Sequence, residues 1–130
     1  MAFLIDTSVL VDAERGGTAL ERVPADEEHS ISVITASELL HGVYRADDGP
    51  RRMQRQVFVE NVLAELEALP ITNEAAQGHA KVWAELEAAG EMIGMHDLWI
   101  AATALTHDLQ VATTNAREFE RVPGLSVLAL

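Results

Sequence analysis

Residues 3–12, with the sequence FLIDTSVLVD, constrain the fold more than any other stretch. Three apolar residues form a run long enough for a short strand buried on both faces, and Asp6 ends that run. Val9, Leu10 and Val11 then begin what the pattern predicts to be a helix. In open α/β sheets, ligands bind outside the carboxyl ends of the strands, which is where this aspartate stands. Further carboxylates that reach the same edge would therefore form a site with Asp6.

The rest of the chain alternates predicted strands with predicted helices. This alternation favours an α/β fold whose parallel sheet is covered by helices on both faces. The stretch 98–106 (LWIAATALT) is apolar nearly all round, which predicts a helix at the centre of the protein. The other predicted strands are residues 30–34, 69–72, 110–113 and 125–128, and the other predicted helices are residues 35–46, 51–68, 73–89 and 116–121.

Length and composition limit the class of protein. A chain of 130 residues suits one domain, residues 1–130, with one core. The absence of cysteine excludes disulfides and thiolate-bound zinc. No stretch resembles a secretory signal or a membrane span, so we expect a cytoplasmic protein.

The charge of the chain is strongly negative. A net charge of −12 argues against broad electrostatic binding of nucleic acid or anionic membrane, and favours a basic partner or a bound cation. Arg45, Arg51, Arg52 and Arg55 lie close together in sequence. They form either a local phosphate-binding patch or a solvated helix face, and charge runs are usually solvated.

Polar residues follow three of the predicted strands and precede the central helix. Asp6 follows the first strand, Glu38 lies just beyond the second, and Asn115 follows the fourth. Asp97 begins the central helix, which must lead back into the fourth strand. Because right-handed crossovers keep the strands parallel, these residues are predicted to share one edge of the sheet. Three carboxylates and a carboxamide would then line one cleft.

Each of these residues also has a purely structural interpretation. Thr35-x-x-Glu38 and Asn115-x-x-Glu118 both match a helix capping box, and Asp6 and Asp97 stand where helix N-caps are expected. Caps are needed at every helix, so any one of the four residues is explained without a function.

Taken together, the carboxylates favour a metal site. Buried carboxylates without cationic partners repel one another unless they bind a cation, and no arginine is close in sequence to them. Hard carboxylate oxygens suit Mg²⁺ or Mn²⁺, which can activate water for the hydrolysis of a phosphodiester. We expect metal ligation by Asp6 and Asp97. The other expected roles are a base or water-holding group at Glu38, an orienting amide at Asn115, and phosphate contacts from Ser8 and Thr114.

Four strings in order, FLIDTSVLVD, TASELLHG, IGMHDLWIAATAL and TTNAREFERVPGL, resemble the PIN-domain ribonucleases, specifically the VapC toxins of bacterial toxin–antitoxin modules. The resemblance covers residues 3–130. It implies a PIN-like three-layer fold with a five-stranded parallel sheet in the order 3-2-1-4-5. It also implies a Mg²⁺- or Mn²⁺-dependent endoribonuclease whose acidic residues are Asp6, Glu38 and Asp97.

The resemblance carries further expectations about partners and about departures from the family pattern. It implies a VapB antitoxin that often sends an arginine into the acidic cleft, and a homodimer. Many relatives have a fourth acidic residue near position 115, where this chain has Asn115, with Glu118 three residues later. His96 replaces a small polar residue that many relatives have before Asp97.

Two other functions remain open from the sequence. The first is a non-catalytic acidic α/β domain that binds a basic protein partner, with the four polar residues acting as caps. The second is a phosphatase or phospho-acceptor with Asp6 as the nucleophile. That chemistry usually requires a second aspartate two residues later or a lysine late in the chain, and this chain has Ser8 and no lysine after Lys81.

Overall fold

A five-stranded parallel sheet forms the centre of the protein. The computed structural model describes residues 2–130. The strand order is β3-β2-β1-β4-β5 and every neighbouring pair is parallel. The predicted parallel sheet and its 3-2-1-4-5 order are therefore confirmed. The strands are β1 Phe3–Ile5, β2 His29–Ser32, β3 Glu67–Leu69, β4 Gln110–Thr113 and β5 Val127–Ala129.

Helices cover both faces of the sheet and make a three-layer α/β/α architecture. Side chains alternate along β1, so that Phe3 and Ile5 pack against one layer while Leu4 packs against the other. The first layer contains α1 Thr7–Glu14, a 3₁₀ turn Ala19–Arg22, α2 Val33–Tyr44 and α3 Gly49–Glu65. The second contains α4 Asn73–Ala89, α5 Met95–Thr106 and α6 Ala116–Phe119. Within residues 2–130, no helix has the length and apolar character to cross a membrane.

Helix α5 is the central helix that its apolar sequence predicts. Leu98 and residues 100–104 are buried. The helix begins at Met95, three residues before the predicted start, so Asp97 belongs to its first turn instead of preceding it. This first turn lies at the carboxyl edge of the sheet because α5 leads directly back into β4.

Three strands are shifted from their predicted positions. The predicted strand 30–34 ends at Ser32, because the Ser32 hydroxyl accepts a hydrogen bond from Ile34 N at 3.1 Å and caps α2 there. The predicted strand 69–72 lies at Glu67–Leu69, since Pro70 cannot donate a ladder hydrogen bond. The predicted strand 125–128 begins two residues later, at Val127.

Two of the clustered arginines hold helices together. Arg55 Nε donates to Glu14 Oε1 at 3.0 Å and Arg55 Nη1 donates to Gly42 O at 3.1 Å, so one guanidinium joins α3 to α1 and α2. Arg52 Nη2 donates to the carbonyls of Tyr44 and Ala46, both at 2.9 Å, at the C-terminal end of α2. Neither sequence interpretation of this cluster anticipates that role.

We predict that Arg55→Met lowers the free energy of unfolding by about 1–2 kcal/mol, because two hydrogen bonds of a charged group are lost while the apolar stem remains. Urea denaturation measures the change through its midpoint. The control is Arg51→Met, whose contact with Asp48 is longer, at 3.7 Å, and exposed. That change should stay within about 0.5 kcal/mol. Equal midpoints for the two variants would contradict the bridging role.

Candidate active site

The carboxyl edge of the sheet carries a cleft of about 470 Å³, here called the acidic cleft. Asp6 reaches it from the end of β1, Glu38 from the second turn of α2, and Asp97 from the first turn of α5. The structure thus brings together side chains that are far apart in sequence. All six residues predicted from the sequence line this cleft: Asp6, Ser8, Glu38, Asp97, Thr114 and Asn115.

The capping interpretation of these residues is wrong. Asp6 occupies the N-cap position of α1 without a side-chain capping bond, and the same holds for Asn115 at α6. Glu38 lies inside α2, which Ser32 caps. Asp97 is the third residue of α5, whose N-cap is Gly94. Helix termini therefore do not explain why these polar groups stand at this edge.

Asp6 is held in one orientation by two hydroxyl groups. Its Oδ2 accepts hydrogen bonds from Ser8 Oγ at 2.7 Å and from Thr113 Oγ1 at 2.8 Å. Asp6 as a residue is only 3% exposed, and burial of its carboxyl group raises the pKa above the usual value, although the hydroxyl bonds favour the charged form. The charge of Glu38 also raises this pKa. A cation beside Asp6 would relieve both costs.

These contacts also change the role expected of Ser8. Its proton is donated to Asp6, and its oxygen accepts from Thr114 N at 3.1 Å. As arranged, Ser8 has no proton to offer a phosphate oxygen, and it orients the carboxylate instead. The Thr114 side chain is exposed and has no hydrogen bond within residues 2–130, so its hydroxyl is available to a ligand.

Glu38 is fixed from two sides. Thr7 Oγ1 donates to Glu38 Oε1 at 2.8 Å, and the same hydroxyl lies 2.9 Å from Thr35 Oγ1. His96 Nδ1 lies 3.4 Å from Glu38 Oε2. His96, whose consequence the sequence does not reveal, is thus a neighbour of Glu38 at the rim of the cleft.

Asp97 forms a carboxyl pair with Glu118 of α6. Burial raises the pKa of Asp97 to about 8, with further contributions from the hydrogen bond with Glu118 and from the charges of Asp6, Glu118 and Glu38. A hydrogen bond between two carboxyl groups requires a proton, so this pair retains one near neutral pH. Glu118 thus reaches Asp97 from α6, three residues after Asn115.

The sequence interpretation missed three residues of the cleft region. Thr7 and Thr113 orient Glu38 and Asp6 through short hydroxyl bonds. Arg15 lines the cleft although it lies nine residues after Asp6, because it ends the same helix that Asp6 begins. The string TTN at residues 113–115 could have indicated Thr113, since hydroxyl residues at the end of a strand lie at this edge of the sheet. Nothing in the sequence distinguished Arg15.

Asp12 also lines the cleft but is committed to a loop. Its Oδ2 accepts a hydrogen bond from Ala19 N at 3.0 Å, and Gly17 N donates to its backbone carbonyl at 2.8 Å. A Cβ at Gly17 would collide with the Asp12 carboxylate, so this close approach requires glycine. Asp12 is therefore a structural residue at the rim.

The donor set of the cleft suits a hard divalent cation. Asp6, Glu38 and Asp97 line the same cleft, and Arg15, the basic residue on its lining, forms no ion pair with them within residues 2–130. In the same residues, no group of three or more His, Asp or Glu side chains lies close enough together to hold one metal ion. Mg²⁺ typically uses one or two carboxylates, with water and substrate phosphate as its other ligands, so an incomplete set fits this ion.

Comparison with known proteins identifies the family. The PIN domain matches residues 3–125. Ribonuclease VapC of Rickettsia bellii is 35% identical over 130 residues, which cover 100% of this chain and 97% of the relative. The tRNA(fMet)-specific endonuclease VapC of Salmonella typhimurium is 36% identical over 97 residues, which cover 75% of this chain and 71% of the relative.

Solved structures agree with this relationship. VapBC2 from Rickettsia felis, bound to a DNA fragment from its promoter, contains a chain with a TM-score of 0.89 and 27% identity, covering 100% of this chain and 99% of that one. VapBC-5 from Mycobacterium tuberculosis gives a TM-score of 0.85 and 30% identity, covering 99% and 98%. The fold, the cleft and these relatives together show that the chain belongs to the PIN-domain family, in its VapC branch of ribonuclease toxins.

Proposed function

We propose that this protein is a Mg²⁺- or Mn²⁺-dependent endoribonuclease, the toxin of a type II toxin–antitoxin pair. The observation that carries the proposal is the convergence of Asp6, Glu38 and Asp97 in one cleft, with the Asp97 carboxyl kept protonated near neutral pH by burial and by its acidic neighbours. Such crowding disfavours the empty, ionised cleft and favours a divalent cation.

Asp6 and Asp97 would hold the ion. When bound, it would offset the charge of the scissile phosphodiester and polarise the attacking water. Asp6 is already oriented by Ser8 and Thr113, so little reorganisation of this carboxylate is needed. Asp97 would give up the proton of its pair with Glu118 when the cation enters, because metal ligands bind in their deprotonated form.

Glu38 is the proposed base. Its Oε1 is occupied by the Thr7 hydroxyl, which leaves Oε2, beside His96, to accept the proton of the attacking water. The Asn115 side chain has no hydrogen bond within residues 2–130 and would orient water or substrate through its amide. The Thr114 hydroxyl would donate to a phosphate oxygen.

The proposed protein partner is a VapB-type antitoxin. VapBC complexes are among the similar structures, and an acidic chain of net charge −12 suits a basic partner segment that enters the cleft with an arginine. A homodimer is proposed as well. Large apolar side chains are exposed on both helical layers, for example Met53 and Val57 on α3 and Trp83 on α4, which suits a chain with two protein neighbours.

Cleavage of RNA tests the activity. We expect the purified chain to cut an initiator tRNA transcript or total bacterial RNA with Mg²⁺ or Mn²⁺, and EDTA to abolish cutting. Initiator tRNA is tried first because two of the relatives are named for it. Asp6→Asn and Asp97→Asn should each cut at least ~100-fold more slowly. Asp26→Asn, at an exposed site outside the cleft, should cut like the wild type. Equal rates for Asp6→Asn and wild type would refute the assignment.

Thermal unfolding tests the metal site separately. Because the pKa of Asp97 is raised to about 8 in the folded protein, its contribution to stability is present near pH 4 and is lost as the pH rises to about 8. In EDTA at pH 8, Asp97→Asn should therefore melt on the order of 3–6 °C above the wild type, and the difference should vanish near pH 4. Added Mn²⁺ should raise the melting temperature of the wild type and not that of the variant.

The same melting experiment has a clear negative outcome. Asp26→Asn serves as the control for the loss of one carboxylate and should follow the wild type at each pH. If apo Asp97→Asn melts below the wild type at pH 8, carboxylate crowding does not govern this cleft.

A further inference from the structure

A second concavity, here called the arginine groove, opens directly beside the acidic cleft. It has a volume of about 530 Å³ and lies among α1, α2 and α3. Arg15 and Glu38 line both the groove and the cleft, so the two share a wall. The basic residues that line the groove are Arg15, His41, Arg45, Arg55 and His96.

The groove is lined by three arginines and two glutamates, Glu14 and Glu38, and two of the arginines form no ion pair within residues 2–130. Arg55 is paired with Glu14, as described above. The side chains of Arg15 and Arg45 are exposed and make no hydrogen bond or ion pair within residues 2–130. Two free guanidinium groups thus stand on one groove of a protein whose net charge is −12. The groove is therefore a locally basic surface on a protein that is acidic overall.

A ligand that binds both the arginine groove and a cation in the acidic cleft is expected to be an extended polyanion. One anionic group would lie at the acidic cleft, where a cation offsets the carboxylates, and the next would lie on the groove against the arginines. Guanidinium groups match phosphate oxygens in shape and charge. The groove volume is within the range of sites that hold a group of nucleotide size.

We propose that the arginine groove holds the RNA strand on one side of the scissile phosphate, with Arg15 and Arg45 paired to phosphate oxygens of the flanking nucleotides. This inference rests on the proposed function. It assigns a direction to the substrate, because Asp97 and Glu118 are not among the residues that line the groove. A strand that leaves the cleft over Arg15 avoids that pair.

The geometry favours RNA over a protein segment as the occupant. A strand whose phosphate lies at Asp6 and Asp97 must continue over the neighbouring surface, and the wall formed by Arg15 is part of that surface. A partner segment that ran along the groove while placing an arginine in the acidic cleft would meet two further like charges, so the proposed antitoxin is expected to reach the cleft by another route. Repulsion of that kind costs affinity, whereas each phosphate would gain an ion pair.

Steady-state kinetics with the RNA found to be cleaved test the proposal. Arg15→Gln and Arg45→Gln should each raise KM about tenfold with kcat within about twofold, because uniform substrate binding is lost. Each should also reduce the slope of log KM against log salt concentration by about one. The matched control is Arg22→Gln, which removes an exposed arginine outside both concavities and should leave KM and slope unchanged.

Direct binding separates failure of this inference from failure of the proposed function. Anisotropy of a fluorescein-labelled 20-nucleotide single-stranded RNA, in Mg²⁺, should show weaker binding to Arg15→Gln and Arg45→Gln than to Arg22→Gln even if the wild type cleaves no RNA tested. Equal affinities and equal KM values for the three variants would overturn the groove assignment. The assignment would also be overturned if Arg15→Gln and Arg45→Gln bound RNA normally but were no longer inhibited by an antitoxin C-terminal peptide. The groove would then be the binding site of a protein segment.

Discussion

Repulsion among carboxylates at the carboxyl edge of the sheet is the constraint on which the site depends. Asp6, Glu38 and Asp97 come from three different elements, and a parallel sheet necessarily brings the ends of β1 and β4 and the start of α5 to the same place. A fold of this kind cannot spread these charges apart. The chain meets the cost in the apo state by retaining a proton on the Asp97–Glu118 pair and by giving Asp6 two hydroxyl donors. Both arrangements lower the cost of gathering carboxylates at this edge of the sheet.

Uncharged hydroxyl groups and arginines have different roles around the cleft. Hydroxyl groups of Thr7, Ser8 and Thr113 fix the directions of two carboxylates, and none of these groups carries charge. Positive charge lies mainly beside the cleft, where Arg55 joins three helices and where Arg15, on the wall shared with the cleft, and Arg45 form no ion pair within residues 2–130. In the proposed function, this separation would let a phosphodiester meet the carboxylates and a cation at one point and guanidinium groups at the next. An arginine paired directly with Asp6 or Asp97 would compete with the proposed cation.

The apolar pattern of the sequence predicts the buried strands and the central helix, whereas the strand order is predicted only by the resemblance to the PIN-domain family. The run that ends at Asp6 and the apolar stretch after Asp97 place both carboxylates at strand or helix ends, and a parallel sheet then puts those ends together. Strand β3 was misplaced because Glu67 and Ala68 carry no apolar signal at the edge of the sheet. Glu118 and Arg15 depend on the directions in which α6 and the last turn of α1 point. Such directions are set by packing between layers, which single-sequence periodicity does not encode.

Binding of Mn²⁺ by isothermal titration calorimetry at pH 8 tests the central claim most directly, because it needs no knowledge of the RNA. We expect saturable binding to the wild type, binding of the same strength to Asp26→Asn, and loss of binding in the variant that carries both Asp6→Asn and Asp97→Asn. Equal Mn²⁺ binding by that double variant and the wild type would contradict the claim that these carboxylates gather to hold a divalent cation.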